Sequence, residues 1–536
     1  MTAPPPTAVH QDQDAEAAAN DPHGAPAGGL SSAAASGTGW TTIQGLLNKL
    51  ATMAAMLLVA RLLTPDEYGM GNLAVAVAGM LIVLPPLVMG DVLITHQRRF
   101  SLLGRVAGRT AIITGAVTAV GMAMAAPLVA LFYPNYAFAA LVGLLLVVAL
   151  RPMAEAMAVL PLSRLRIGLR YQSIALIDGA VQLVATGLTV VMAWAHAGAL
   201  AIVAPQVAAV AARAVCYRIA TRHTTGDLAT LKPETERRMH RRTLREFATA
   251  GSAQYIHTLI GWVPVLVLGK LSTESETGYF GFSFLLANQA TYVLSYQLGT
   301  VLQPIFGRLK HDPERQAAGF LRVVRAVGAI AVPASFLQAA LAEPLFLLIF
   351  PEKWAPAIHV FAILCVGQAF YFAMAPAMAL LKAQGRFRAF FIWQATQLVA
   401  SFVLYPIFAY NWGAIGVSAI DTVIWGISVP VAVVIGTSVA GGTIRTALAV
   451  FVAPWSTSVP IAAAAWGAWL LLKPMGVPGM VIALAVVGPA AFVLSILATR
   501  LSQPATWMEL QPMMAKASGK LGSVPRKVLG RIARGK

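Results

Sequence analysis

Between residues 40 and 499 the chain passes through fourteen apolar runs, near 40–62, 69–90, 110–132, 136–160, 173–195, 198–217, 247–269, 279–304, 321–342, 357–381, 389–410, 413–437, 447–471 and 477–499. Each is long enough to cross a hydrocarbon core of about 30 Å as a helix. A backbone in that core has no water to bond, so only helices and closed barrels span it, and strands of this length do not fit loops this short. The expectation is an all-α integral membrane protein of about 14 transmembrane helices. Composition agrees: of 536 residues, 58% are hydrophobic and 11% charged, whereas soluble domains carry about 25% charged residues.

A net charge of +18 would ordinarily raise the question of nucleic acid. Here the cations sit in short loops between apolar runs, so no nucleic-acid partner is expected. Thirty-two of the 39 Lys and Arg residues fall in the even-numbered loops and the C-terminal tail. The largest group lies in the polar stretch from Arg218 to Arg245, which holds eight cations against three acids. Short loops rich in Lys and Arg stay cytoplasmic. That places both termini and this connector in the cytoplasm, with the odd-numbered loops, such as Tyr410-Asn411-Trp412, outside. Residues 1–39 are Ala-, Pro- and Gly-rich without Lys or Arg, a disordered composition that lacks the basic start of a cleavable signal. The basic tail 501–536 spaces Leu, Val and Ile among its cations; a piece lying on anionic membrane lipids and a merely solvated tail both fit it. Cys216 and Cys365 lie in apolar runs with no metal-ligand spacing, so neither a metal nor a cofactor is expected.

The two sides of the connector repeat one another. APLVALFYP at 126–134 returns as EPLFLLIFP at 343–351, and Gln182-Leu183-Val184-Ala185 as Gln397-Leu398-Val399-Ala400. Ala197-Gly198-Ala199 answers to Trp412-Gly413-Ala414, and Ala60-Arg61 before Tyr68-Gly69-Met70 to Gly269-Lys270 before Thr277-Gly278-Tyr279. The offsets run from 209 to 217, an ordered spacing that marks an internal repeat. Six helices followed by six in the same orientation describe parallel lobes about an axis along the membrane normal, a plan on which substrate sits between the halves. The expected divisions are a tail at 1–39, an N-lobe at 40–217, a basic linker at 218–246, a C-lobe at 247–437, an added helix pair at 438–500 and a tail at 501–536.

The stretch Ala60-Arg61-Leu62-Leu63-Thr64-Pro65-Asp66-Glu67-Tyr68-Gly69 resembles the first-loop signature of the polysaccharide-transporter branch of the multidrug/oligosaccharidyl-lipid/polysaccharide exporter superfamily, the Wzx-type flippases. Gly278-Tyr279-Phe280, PIFGRLKHDPER at 304–315, EPLFLLIFPEKWAPA at 343–357 and LLKAQGRFR at 380–388 also resemble that branch. The resemblance covers roughly residues 40–440. It implies two six-helix lobes around a central cavity in the bacterial inner membrane. It further implies export of a polyprenyl-diphosphate-linked oligosaccharide for exopolysaccharide or lipopolysaccharide biosynthesis, beside a polysaccharide polymerase and chain-length proteins. The branch has no universal catalytic motif, so no site residue carries over.

Candidate site residues therefore come from polar groups inside the spans, which are costly in lipid unless they face protein or a wet cavity. Thr41, Gln44, Asn48 and Thr52 share one face of the first run with Lys49 beside it, about 14 Å along the helix from Trp40. A cavity cation that meets a diphosphate and a structural pair with a carboxylate both fit Lys49. Arg151 has Glu155 one turn on, a spacing that allows a self-contained ion pair; alternatively an incoming anion or proton breaks it. Arg213 lies near a cytoplasmic end, as a snorkelling anchor or a third cation for the diphosphate. His257 and Asp421 are hydrogen-bonded packing or members of an ion-coupling path, and Asp178 is expected to cap a helix or pair with loop arginines.

Enzyme signatures are missing: there is no GxxxxGK[ST], G-x-S-x-G, H-E-x-x-H or strand-linked GxGxxG. The chain is read as a transporter rather than an enzyme. Three rivals remain: a cation-coupled multidrug exporter, which Lys49 and Arg151 disfavour; a membrane glycosyltransferase, which needs a larger outer loop; and a non-transporting scaffold of an assembly complex.

Overall fold

The computed structural model describes residues 53–82, 100–168, 170–222, 255–309, 311–440 and 443–502, with residues 89, 90, 93 and 507. Asn48, Lys49, most of the basic connector and the two tails lie outside the described residues. Every regular element among the described residues is helical. In chain order they are α1 Met53–Leu62, α2 Pro65–Leu81, α3 Phe100–Phe132, α4 Phe138–Val148, α5 Arg151–Ile167, α6 Tyr171–Trp194 and α7 Leu200–Ala220. After the connector come α8 Tyr255–Leu271, α9 Glu274–Arg308, α10 Pro313–Ala340, α11 Ala342–Ile349, α12 Ala357–Tyr371, α13 Met374–Ala383 and α14 Phe387–Thr437. The last are α15 Ile444–Leu472, α16 Val477–Ile482 and α17 Gly488–Ser502. Nine stretches among the described residues are long and apolar enough to cross a membrane. The protein is a multi-pass membrane protein.

Local chemistry sets the ends and breaks. At the start of α2, Thr64 and Glu67 form a reciprocal capping box, with Pro65 in the first turn; these satisfy donors that a helix start leaves orphaned. Thr273 caps α9, accepting from the Glu276 amide. The run at 136–160 is not one uninterrupted helix. It breaks at Ala149–Leu150, just before Pro152, whose ring denies the helix a bond. Arg151 consequently starts α5 instead of lying mid-helix. The runs at 389–410 and 413–437 are joined without a loop through Gly413, at φ 55°.

Among the described residues, α2 and α9 approach closely through a pair of glycines. A Cβ on Gly69 would stand 2.0 Å from the Glu274 carbonyl oxygen, and one on Gly278 would stand 2.0 Å from that of Pro65. The two contacts exchange under an offset of 209 residues, so they are one contact made twice about a two-fold-like axis. Only glycine permits such proximity, which is how small residues bring membrane helices together. Asp66 and Ser275, also 209 apart, bond across the same axis.

Further bonds close this end. Trp354 Nε1 donates to the Ala60 carbonyl at 2.8 Å and Lys353 Nζ to that of Arg61 at 2.9 Å. Reciprocally, Asn135 Nδ2 donates to the Ser272 carbonyl at 2.9 Å and Tyr136 Oη to Thr277 Oγ1 at 3.1 Å. Trp354 is fully buried, stacked on Phe282 at 4.1 Å and edge-on to Tyr68 at 5.7 Å. Outside this seam, α3 turns Val117, Val120, Met124, Leu128 and Leu131 outward, as a lipid-facing helix does. The closing helices α15 and α17 lie on α10. Glu343 holds the end of α15, accepting from Trp469 Nε1 at 2.9 Å and from Lys473 Nζ just beyond it at 2.7 Å.

Candidate functional site

Below the seam, α1, α2, α5, α6 and α7 surround a cavity of 410 Å³, closed on one side by Leu285 of α9. Its polar lining comes from three helices. Gln182, Thr186 and Thr189 follow one another down one face of α6, Gln206 and Arg213 stand two turns apart on α7, and Arg151 comes from the break before α5. The remainder of the wall is apolar, with Met56, Val59, Tyr68 and Ile202.

Each arginine has its own carboxylate. Arg151 Nε donates to Glu155 Oε1 at 2.8 Å, and Glu155 is buried. Arg213 Nη2 donates to Gln182 Oε1 at 2.9 Å. Its Nε lies 3.5 Å from Asp178 Oδ1, close enough for charge pairing but not aligned as a hydrogen bond. The Asp178 carboxylate also accepts from the Tyr217 hydroxyl. Unpaired charges here would be costly, and the pairing keeps the cavity wall near neutrality. Among the described residues, the Nη groups of Arg151 and the Nη1 of Arg213 have no partner, so each guanidinium keeps donors for an incoming anion.

The other candidates sit elsewhere. His257 on α8 is half-buried, with Nδ1 3.1 Å from Gln394 Nε2. Asp421 is buried on α14, where one carboxylate oxygen accepts from Tyr405 Oη at 2.5 Å and Trp425 Nε1 at 3.1 Å. The cavity thus unites Arg151, paired with Glu155, and Arg213, while His257 and Asp421 do not line it. Asp178 pairs with Arg213 of the neighbouring span α7.

A family model for "Polysaccharide biosynthesis protein" matches residues 58–359. The chain belongs to that family. A relative, "Succinoglycan biosynthesis transport protein ExoT" of Rhizobium meliloti (strain 1021), is 26% identical over 162 residues, 30% of this chain and 32% of the relative, so the match spans about a third of that protein's length. Among solved structures, "Lipid II flippase MurJ, inward closed conformation" superposes with a TM-score of 0.67 at 11% identity, covering 86% of this chain and 98% of that one. A multidrug resistance MATE family transporter of the MOP superfamily, in an inward-facing conformation, reaches 0.53 at 13% identity, covering 74% and 94%. These likenesses establish the fold as that of membrane transporters. The fold expected from the resemblance is thereby borne out.

Sequence reasoning passed over Gln182, Gln206, Thr186 and Thr189, because single amides and hydroxyls in an apolar run are not distinctive. The signal lay in the repeat. Gln182 and Arg213 have their counterparts 215 residues on at Gln397 and Ser428, and those two also touch, Ser428 Oγ lying 3.1 Å from Gln397 Oε1.

Proposed function

We propose that this polysaccharide biosynthesis protein is a flippase. It moves polyprenyl-diphosphate-linked oligosaccharide repeat units from the cytoplasmic to the periplasmic leaflet of the bacterial inner membrane by alternating access, for surface polysaccharide assembly. The observation that carries this reading is the pair of carboxylate-held arginines facing one cavity beside the inter-lobe seam. A diphosphate in low dielectric must exchange its hydration shell for fixed cations. Guanidinium groups suit it because their planar forks bond phosphate oxygens two at a time. The incoming diphosphate takes up the Arg151 and Arg213 donors that Glu155, Asp178 and Gln182 leave unused. Gln206, Thr186 and Thr189 then supply neutral bonds around it, and the polyprenyl chain remains in lipid. Lys49, by its depth in the first run, is assigned as a third cation, and Asn48 as its polar neighbour.

The transport cycle follows from the seam. With the termini assigned to the cytoplasm, the Gly69–Gly278 contact is the periplasmic end, and the described state is shut there. Release outward requires this contact and the cross-seam bonds of Asp66, Asn135, Tyr136, Lys353 and Trp354 to break. Asp421, which accepts from the neutral donors Tyr405 and Trp425, is assigned to ion coupling in the second lobe, with the His257–Gln394 pair as a second polar group there. The lipid-linked oligosaccharide and membrane lipids are the direct partners; a polymerase and chain-length proteins act downstream.

The test is complementation of a deletion strain. Loss of the gene should accumulate lipid-linked repeat units on the cytoplasmic leaflet, and the wild-type gene should clear them. Arg213→Ala and Arg151→Ala should fail to clear them at normal membrane abundance, while Arg213→Lys retains part of the activity. Clearance by both alanine variants would overturn the assignment.

A further inference from the structure

The sealed end carries a second concavity, of 940 Å³, open to the outer side. Its lining has two parts. One is carboxylate and amide: Asp66, Glu274, Glu276 and Asn135. The other is aromatic: Tyr410 and Trp412, which leave 77% and 60% of their surface exposed. The backbone fixes both parts. Glu276 accepts from the Ala414 amide at 2.6 Å, which ties the start of α9 to the Gly413 kink that presents the two rings. Asn135 is held by its bond to Ser272, and Asp66 by Ser275.

Exposed Tyr and Trp near a membrane boundary usually anchor the protein at the headgroups. Two observations set this pair apart. An anchor faces outward around the rim, whereas Tyr410 and Trp412 share their cleft with Asp66 and Glu274, which start the two helices of the central seam. Their repeat counterparts, 215 residues earlier, are Ala195 and Ala197, so the aromatic wall belongs to one lobe only. An ordinary anchor is present close by: Trp194, 73% exposed, ends α6 and does not line the cleft.

We infer that this cleft is a docking site for the sugar portion of the exported molecule, taking an uncharged oligosaccharide as it emerges from the seam. The inference rests on the flippase reading. Sugar rings present flat C–H faces that stack on aromatic rings, and hydroxyl edges that donate to carboxylates and amide oxygens. The volume suits a ligand of a few rings, since pockets for small molecules run to about 1,000 Å³. The same carboxylates repel a diphosphate, so the cleft holds the glycan and leaves the head group behind. Burial, and then the negative charge of Asp66, push the Glu274 carboxyl above its ordinary value. The site lies over the contact that must open for release, so a docked chain biases the product toward the outside.

The experiment uses the full chain in lipid nanodiscs with two neutral glucose tetrasaccharides, β-1,3- and β-1,4-linked, followed by saturation-transfer NMR. At least one should receive saturation, and Tyr410→Ala with Trp412→Ala should weaken its binding about tenfold, the scale of a lost stacking contact. Trp194→Ala should leave it unchanged. Saturation that is absent, or equal in the double variant, overturns the inference, as does calcium ion binding in the cleft without any sugar. Complementation separates this outcome from the parent reading. If the double variant loses the sugar but still clears lipid-linked repeat units, only the docking site falls. If the wild-type gene clears nothing, the flippase reading falls even where the sugar binds.

Discussion

The two lobes make the same contact with different residues. In the first, Gln182 meets Arg213, Asp178 stands beside them, and Gln206 lies two turns up α7. At an offset of 215 in the second, Gln397 meets Ser428, Trp393 donates to Ser428 at 2.7 Å, and Asp421 lies two turns up α14. One scaffold therefore offers a cation and an amide on one side, a hydroxyl and a carboxylate on the other. The first set borders an open cavity. The second is buried among Tyr405, Trp425 and Trp393. A duplicated frame has kept its helix contacts and divided its charges, which suits a machine that binds an anion in one half and exchanges a cation in the other.

Exchanging counterparts is the sharpest way to break this comparison. Arg213→Ser, which gives the first lobe the residue of the second, should lower export by about a hundredfold, as the loss of two charge-assisted bonds would. Ser428→Arg should not restore it, because the second set is buried among Tyr405, Trp425 and Trp393. Clearance of lipid-linked repeat units in the complemented strain measures both.

The seam is where the lobes should behave alike. Gly69→Val and Gly278→Val put methyl groups into the facing carbonyls, so each should prevent closure to the same degree. Cysteines at Asp66 and Ser275 should form a disulfide in the parent and about tenfold less in either valine variant. An effect from one valine alone would deny the symmetry. A smaller change is expected from Asp421→Asn, roughly tenfold in export with the head-group site intact; unchanged export would remove Asp421 from coupling.

Much of this was legible in the sequence for physical reasons. A bilayer demands long apolar helices, so α3, α6, α7 and α10 announce themselves, and the match of Gln182 to Gln397 already marked the repeat on which the duplicated contact lies. The Arg151–Glu155 pair was readable from its i,i+4 spacing. What the sequence withheld depended on three-dimensional approach. Gly69 and Gly278 look like ordinary loop-to-helix glycines until α2 meets α9. Arg213 reads as an anchor near a helix end, until α6 turns Gln182 and Asp178 toward it. Pro152 is one of many prolines in the chain, and only the break it marks aims Arg151 into the cavity.

The smallest effect concerns the added helices. Burial raises the Glu343 carboxyl, but hydrogen bonds from Lys473 and Trp469, with the charges of Lys473 and His359, outweigh it and hold the group below its ordinary 4.5. A depressed carboxylate contributes stability above its unfolded pKa and loses it as pH falls through the folded value. Glu343→Gln should therefore cost about 0.5 kcal/mol at neutral pH, because the pair is largely solvent-screened, and nothing once the pH has fallen below the folded value. Thermal unfolding at both pH values reads the difference.

The central claim is that the diphosphate is held between Arg151 and Arg213. Native mass spectrometry of the purified protein with undecaprenyl diphosphate tests it without transport. The wild type should bind, Arg151→Ala and Arg213→Ala should each bind at least about tenfold more weakly, and Ser428→Ala should bind as the wild type does. Equal binding by both arginine variants would contradict the account.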